Sequence, residues 1–497
     1  MLSPTEPVLA KAVGVPSGTL HMGMAFSQVV HILQQQFRII KGVQIIYNEQ
    51  CPLDSDLVIL LSEDGIQLSF DSSSQRLKVI EVTDMSKVKL TYCRSTFCSP
   101  EVLPTRQQID DCFGATHPGE YDASQQMFVL HFRGLSFSFL ADPKCKLDAA
   151  LGSSPTGQLP NGSSPLVSRM AIYYGNSLTD TSCFHHHRHH HHHHHPRNIA
   201  LHDKGLCCPM LSLPCRKNTC FAAANFLDLS SPHLLHTASC RLLFPCPRPP
   251  PLPLCCFGNQ SFLEALEVLR EGDTTLGVRL TLLTEAYETS RLSGPIQKKL
   301  TRCVYFGDSV QDVVWALGSP NKVFYKEEDK MKIHAQDSHR LLAARASDYF
   351  YNYFTLGMDV LFDAQRHVVK KIVLQSNYPG HYNFQQYYRC PFRLKLRLPP
   401  TPEQRRATLV DVADEDEGHA VTAFTKWDEL QERLVKASER PVVLNRTSST
   451  NTTNPFGSTY CYGYQDIIFE VMRNKHIASV TLYQRNGRLH RAKGTAS

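Results

Sequence analysis

Several features are missing from this 497-residue chain, and each absence closes off a class of function. No apolar run reaches the roughly 18 residues that a transmembrane helix needs, so none is expected. The opening MLSPTEPVLAKAVGVPSG lacks a basic start followed by an apolar core, so it does not read as a secretory signal. The expectation is a cytosolic protein with mostly reduced thiols. The sequons at Asn161, Asn259, Asn445 and Asn451 would then carry no glycan, because glycosylation needs the secretory route. Phosphate-cradling loops of the GxxxxGK-Ser/Thr and GxGxxG types are missing, and so is HExxH. Charged residues at 20% and apolar residues at 42% match an ordinary globular chain. That balance excludes a wholly disordered or collagen-like protein. The length suggests about three domains.

The net charge of +6, the 17 cysteines and the 24 histidines suggest metal or nucleic-acid binding until they are located. Residues 184–256 hold eight Cys, thirteen His, seven Lys or Arg and two Asp or Glu. The other 424 residues keep 45 basic and 44 acidic groups, a net of +1. The basic balance is therefore local and does not argue for nucleic acid or membrane binding by the whole chain. The segment opens with a His run from His185 to His195, broken by Arg188, and ends in LLFPCPRPPPLPLCCF. Cys215-x4-Cys220 and Cys240-x5-Cys246 do not form two close couples at finger spacing. The segment reads as a low-complexity, disordered insertion spanning 176–257. Residues 242–257, of types with pyrimidine-rich codons, and a His run such as a CA-rich repeat encodes suggest a retained intron or a mispredicted exon. Two further linkers are Ser/Gly/Pro-rich 151–166 and the Pro and acidic stretch 399–420.

The rest of the chain repeats itself. DGIQLSFDSSSQRLKVIEV (64–82) aligns without a gap on LGMDVLFDAQRHVVKKIVL (356–374), at an offset of 292. Gly65, Phe70, Asp71, Lys78 and Ile80 match Gly357, Phe362, Asp363, Lys370 and Ile372. Apolar residues alternate in each copy, as in a half-buried strand, around a polar turn. Each copy is thus predicted to be a β-hairpin, with Asp71 and Asp363 closing Asx-turns. A helix is predicted before each, over 23–34 and 307–318. Phe26, Val29, Val30 and Leu33 fall on one face of the first. Ser309 and Asp312 form a capping box at the start of the second, and Gly318-Ser319-Pro320 stops it. Weaker copies occupy 107–139 and 427–483, the last with a hairpin turning at Arg473-Asn474. The predicted fold class is α+β: tandem helix plus β-hairpin units packed as two-layer domains, with a long disordered insertion.

The expected organisation is a flexible 1–21 and N-terminal repeats over 22–175. After the insertion come a central repeat over 258–398, the linker 399–420, a C-terminal repeat over 421–484 and a tail 485–497.

Candidate chemistry is sparse. Gly307-Asp308-Ser309 resembles the nucleophile block of a GDS-type hydrolase, but no later Asp-x-x-His fits. The first repeat carries Met24-Ala25 at the matching positions, so a helix start persists there while a nucleophile does not. Ser309 therefore reads as an N-cap. No catalytic, metal or cofactor residue is assigned. Aromatic loops around SNYPGHYNF (376–384) and NPFGSTYCYGY (454–464) suggest partner binding through Tyr378, His381, Tyr382, Phe456 and Tyr460. The alternative for these is a packed loop. In RCPFRLKLRLPP a strand would place Arg393, Lys395 and Arg397 on one face. That row would meet phosphate headgroups or, the safer reading, blunt an edge strand.

The longest of these runs carry a resemblance. RCVYFGDSVQDV (302–313), ALGSPNKVFYKEEDKMKIH (316–334), NYFTLGMDVLFDAQRHVVKKIVLQSNYPGHYNF (352–384) and NPFGSTYCYGYQDIIFEVM (454–472) resemble the phagosome assembly factor 1 family. So do GATHPGEY (114–121) and FRGLSFSF (132–139). The likeness runs from about Gly23 to Tyr483 and breaks at 184–256. It implies a non-enzymatic cytosolic regulator of autophagy that pairs with a WD-repeat β-propeller protein and gathers at the phagophore assembly site on induction. Phosphoinositide recognition would belong mainly to the partner. Golgi or vesicle trafficking, suggested for similar proteins, is the other implied role. No nucleic acid is expected as a partner.

Overall fold

The structure is a computed structural model describing residues 20, 22–92, 95–114, 119–122, 125–132, 134–140, 165–173, 178, 262–286, 296–325, 347–396, 419–434, 440–445 and 456–484. Most of the expected N-terminal stretch 1–21, the linker residues 151–164 and 399–418, the segment 184–256 and the tail 485–497 lie outside the described residues. The described residues form two compact units. The first runs to residue 178 without 25–30 and 47–55; the second takes those two stretches and everything from 262 onward.

Helix α1 (Phe26–Gln35) opens the described chain, with Phe26, Val29, Val30 and Leu33 buried as its apolar stripe requires. In the first unit follow β1 (Val43–Ile46), β2 (Leu57–Leu61), β3 (Ile66–Phe70) and β4 (Leu77–Val82). After a two-stranded ribbon, β5 (Leu90–Tyr92) and β6 (Ser95–Cys98), comes α2 (Arg106–Phe113). A second meander completes the sheet: β7 (Glu120–Asp122), β8 (Met127–Phe132), β9 (Leu135–Leu140) and β10 (Val167–Tyr173). The eight strands run in the order β1-β2-β3-β4-β10-β9-β8-β7, so two four-strand meanders meet through their last strands.

The second unit begins with three long strands, β11 (Phe262–Glu271), β12 (Thr274–Ala286) and β13 (Ile296–Tyr305). Helix α3 (Val310–Leu317) leads into β14 (Lys322–Tyr325), β15 (Tyr349–Tyr353), β16 (Met358–Phe362) and β17 (Val369–Gln375). Strands β18 (Phe392–Leu396) and β19 (His419–Thr422) precede α4 (Asp428–Leu434). The chain then forms β20 (Val442–Leu444), β21 (Thr459–Tyr464), β22 (Ile467–Val471) and β23 (Ile477–Tyr483). An eight-stranded sheet β14-β15-β16-β17-β23-β22-β21-β20 repeats the order of the first. The five-stranded sheet β13-β12-β11-β18-β19 lies beside it in one core, where Leu266, Val278, Phe392 and Leu394 join Val360, Ile372, Trp427 and Phe469.

The repeat extends to individual turns. Asp71 Oδ2 accepts from the Ser74 amide at 2.7 Å, and Asp363 Oδ1 accepts from the Gln365 and Arg366 amides at 3.0 Å. A bulge falls between Ser69 and Phe70 and again between Leu361 and Phe362. Gly65 and Gly357 share φ +64°, a conformation that costs a side chain energy and glycine none. A strap before each helix pairs with the start of the last strand of the same meander. Gly23 donates to Leu77 O at 2.7 Å, Arg106 to Pro165 O at 2.9 Å, Gly307 to Val369 O at 3.0 Å and Trp427 to Lys475 O at 2.8 Å.

The α+β class holds in its coarse form, but helices are a minor component and antiparallel sheet dominates. The helix-plus-hairpin unit is corrected: each helix is followed by four antiparallel strands. A lone hairpin leaves both outer edges and one apolar face open; the added strands pair the edges, and packing against a helix or a second sheet covers the face.

Candidate functional site

The aromatic loops are the place to look for a partner surface, and the structure divides their residues sharply. Tyr378 is fully buried. Its hydroxyl donates to Ala423 O at 2.8 Å, the Arg389 guanidinium lies 4.8 Å over its ring, and the His476 ring stands 4.5 Å away. Arg389 Nε in turn donates to Ser376 O at 2.8 Å. His381 is also buried, with Nε2 3.3 Å from Glu470 Oε1. Glu470 also accepts from Thr459 Oγ1 at 2.7 Å and Ser479 Oγ at 2.8 Å. For Tyr378 and His381 these contacts match the packed-loop alternative: both clamp the 376–390 loop to the sheet. Tyr382 and Phe456 are exposed.

A second buried polar knot holds the far end of that loop. Asp359 accepts from Asn352 Nδ2 at 2.7 Å, Gln375 Nε2 at 3.0 Å and the Tyr387 hydroxyl at 2.7 Å. Burial pushes the Asp359 carboxyl up, and the three donors offset part of that rise. In the alternating pattern Asp359 takes an outward polar position between Met358 and Val360, so nothing in the sequence marked it as buried. Burial is also the main force on His476, followed by Lys426 and Arg389; together they lower its pKa to about 4. Neither ring nitrogen of His476 has a hydrogen-bond partner.

Tyr460 lines an open cleft of about 300 Å³ with Pro441, Tyr462, Met472, Arg473 and Lys475. Local structure explains its shape. Tyr460 and Tyr462 stand opposite Val471 and Phe469 in the ladder and so face the same side of the sheet. Tyr462 stacks on Trp427 at 4.5 Å, just before α4. The β22–β23 turn, with Lys475 at φ +66°, brings Arg473 and Lys475 to the rim. The Arg473 guanidinium carbon lies 3.2 Å from where a Cβ on Gly457 would stand, which places the Phe456-Gly457 corner against the same rim. Sequence reasoning missed Arg473 and Lys475 as site residues. Their signal was a pair of cations in a hairpin turn, which is common on any solvated surface.

Arg393 and Lys395 project from the exposed face of β18, while Phe392, Leu394 and Leu396 are buried. Arg397 lies outside the described residues. The edge-strand reading is corrected: β18 pairs in parallel with β11 and antiparallel with β19, inside the sheet. Across the ladder Arg393 neighbours Glu267, which already bridges Arg279 at 3.2 Å.

Ser309 is an N-cap. Its Oγ accepts from the Asp312 amide at 3.2 Å and donates to Asp312 Oδ2 at 2.8 Å. His367 instead takes Tyr349 as partner, with Nδ1 2.8 Å from the hydroxyl. The Ser309 hydroxyl is thus engaged by its own helix's Asp312 and, among the described residues, not by a histidine. Among the described residues no group of His, Cys, Asp and Glu side chains could hold a metal ion, and no helix is long and apolar enough to cross a membrane.

The arrangement has aromatic and cationic rims and no catalytic constellation among the described residues, and comparison with known proteins gives it a family. The family model described as Phagosome assembly factor 1 matches residues 17–483. The chain belongs to the phagosome assembly factor 1 family. It is 44% identical to the PHAF1 protein CG7083 of Drosophila melanogaster over 93% of this chain and 90% of that one. It is 30% identical to the PHAF1 protein At3g51130 of Arabidopsis thaliana, over 95% of this chain and 92% of the relative. The PHAF1 protein T01G9.2 of Caenorhabditis elegans is 29% identical over 97% and 95%. No solved structure matches the chain.

Proposed function

We propose that this protein is a non-enzymatic regulator of autophagy that pairs with a WD-repeat β-propeller protein and gathers with it at the phagophore assembly site. Membership of a family named for phagosome assembly, across residues 17–483, is the observation that carries this reading. The surface is compatible with it. Its distinctive features are an aromatic, cation-rimmed cleft and an exposed row of cations, which bind rather than transform. Lipid contact is assigned mainly to the propeller partner. Arg393 and Lys395 are only two cations, and each cation near an anionic bilayer contributes about 1 kcal/mol. A fluorescently tagged full-length chain should move from diffuse cytoplasmic signal to puncta on the forming phagophore when cells are starved. Unchanged diffuse signal under starvation would contradict the reading.

A further inference from the structure

The cleft lies beside an open sheet edge at β20. Strand β20 ends its sheet, and among the described residues it pairs only with β21. Val442 and Val443 are 65% and 55% exposed, although Val443 stands opposite Tyr460 on the cleft side of the ladder. A sheet edge with apolar side chains is a template for another strand unless something covers it. The charged residues that line the cleft, Arg473 and Lys475, are both cations. Arg440 is exposed and directly precedes Pro441 in the cleft wall, while Arg473 and Lys475 form the opposite rim. Against these three cations stands Asp428, 3.8 Å from Lys475 and well exposed, a pair that solvent weakens. Among the described residues Arg473 and Arg440 have no ion pair.

We infer that the β20 edge and the adjoining cleft bind an extended acidic segment of a partner protein. Its main chain adds a strand beyond β20, and alternate apolar side chains cover Val443 and Tyr460. Carboxylates that flank this strand, rather than those between its apolar residues, reach Arg440, Arg473 and Lys475, since alternate side chains of a strand point to opposite faces. Charge complementarity selects an acidic segment over a basic one and makes binding fall with salt. A small headgroup would engage the cations but leave Val442 and Val443 bare, so a peptide accounts for more of the surface.

The test uses the full-length protein and a fluorescein-labelled synthetic peptide of alternating Val and Thr flanked at both ends by Glu, read by fluorescence anisotropy. The same peptide with Lys in place of Glu is the control. The acidic peptide should bind saturably, and the Arg473→Gln/Lys475→Gln variant should weaken it by at least about tenfold. Val443→Glu, which adds repulsion without touching the rim, should weaken it as well. Arg393→Gln, on another sheet, should not. Matching circular dichroism melts establish that the variants are folded. If the rim variant unfolds, Val443→Glu and the salt dependence decide the matter. Equal binding of the two peptides, no saturable binding, or indifference to the rim and edge variants would overturn the proposal. So would flotation with phosphatidylcholine vesicles carrying phosphatidylinositol 3-phosphate that is lost in the Arg473→Gln/Lys475→Gln variant, since the rim would then serve a lipid headgroup.

Discussion

A Cβ on Gly357 would stand 2.4 Å from the carbonyl oxygen of Tyr388. That close approach lets the chain entering β18 lie against the start of β16, and the Tyr388 amide donates back to Phe354 O at 2.8 Å. Gly357 also sits at φ +64°, where a side chain is strained even in open space. Gly357→Ala should therefore destabilise the second unit by well over the roughly 1–2 kcal/mol of the backbone conformation alone. Urea unfolding checks it; a midpoint equal to that of the parent protein would show that the approach is not tight.

Ser309→Ala removes the Oγ that accepts from the Asp312 amide, while Asp312 Oδ2 still accepts from the residue 309 amide. The expected cost is about 1 kcal/mol of stability. Esterase assays on both proteins with a short-chain nitrophenyl ester should give the solvent rate. Hydrolysis by the parent that disappears in the variant would instead make Ser309 a nucleophile.

His476 gives acid sensitivity with a defined sign. Its folded pKa is lowered to about 4, below the ordinary value near 6.5, so the unfolded chain binds the extra proton first. Its contribution is fully present above pH ~6.5 and is lost progressively as pH falls from there through ~4, on the order of 1–3 kcal/mol in all. His476→Phe keeps a ring against Tyr378 and removes both unpartnered nitrogens. Stability measured from pH 7 down to 4 should be flatter in the variant than in the parent, and parallel curves would contradict the assignment.

Much of the fold was legible because its turns demand particular residues. Asp71 and Asp363, Gly65 and Gly357 each serve a geometry that few residues adopt, so the repeat survived in the letters. The outer strands left little trace. Residues of β14 are exposed throughout, and an exposed edge imposes no apolar alternation. β18 read as an edge because its parallel neighbour β11 lies far upstream, and pairing over such a distance leaves no local signal. Tyr378 read as a binding residue for the same reason. Its partners Arg389, Ala423 and His476 come together only in the folded chain. In the cleft, Tyr460 was visible as an aromatic, while Arg473 and Lys475 became site residues only once the turn placed them.

The cations on β18 lead to a membrane prediction. The purified protein alone should not float with phosphoinositide vesicles, because two exposed cations on a sheet that also carries Glu267 give a weak surface attraction. Flotation that Arg393→Glu/Lys395→Glu abolishes would assign direct lipid binding to this face.

The pairing with a β-propeller is the centre of the account, and crosslinking mass spectrometry on the protein isolated with its partner from starved cells tests it most directly. The account predicts a WD-repeat protein at a stoichiometric level, with inter-chain crosslinks outside residues 184–256. A preparation in which the protein carries no propeller, or crosslinks to one only through 184–256, would contradict it.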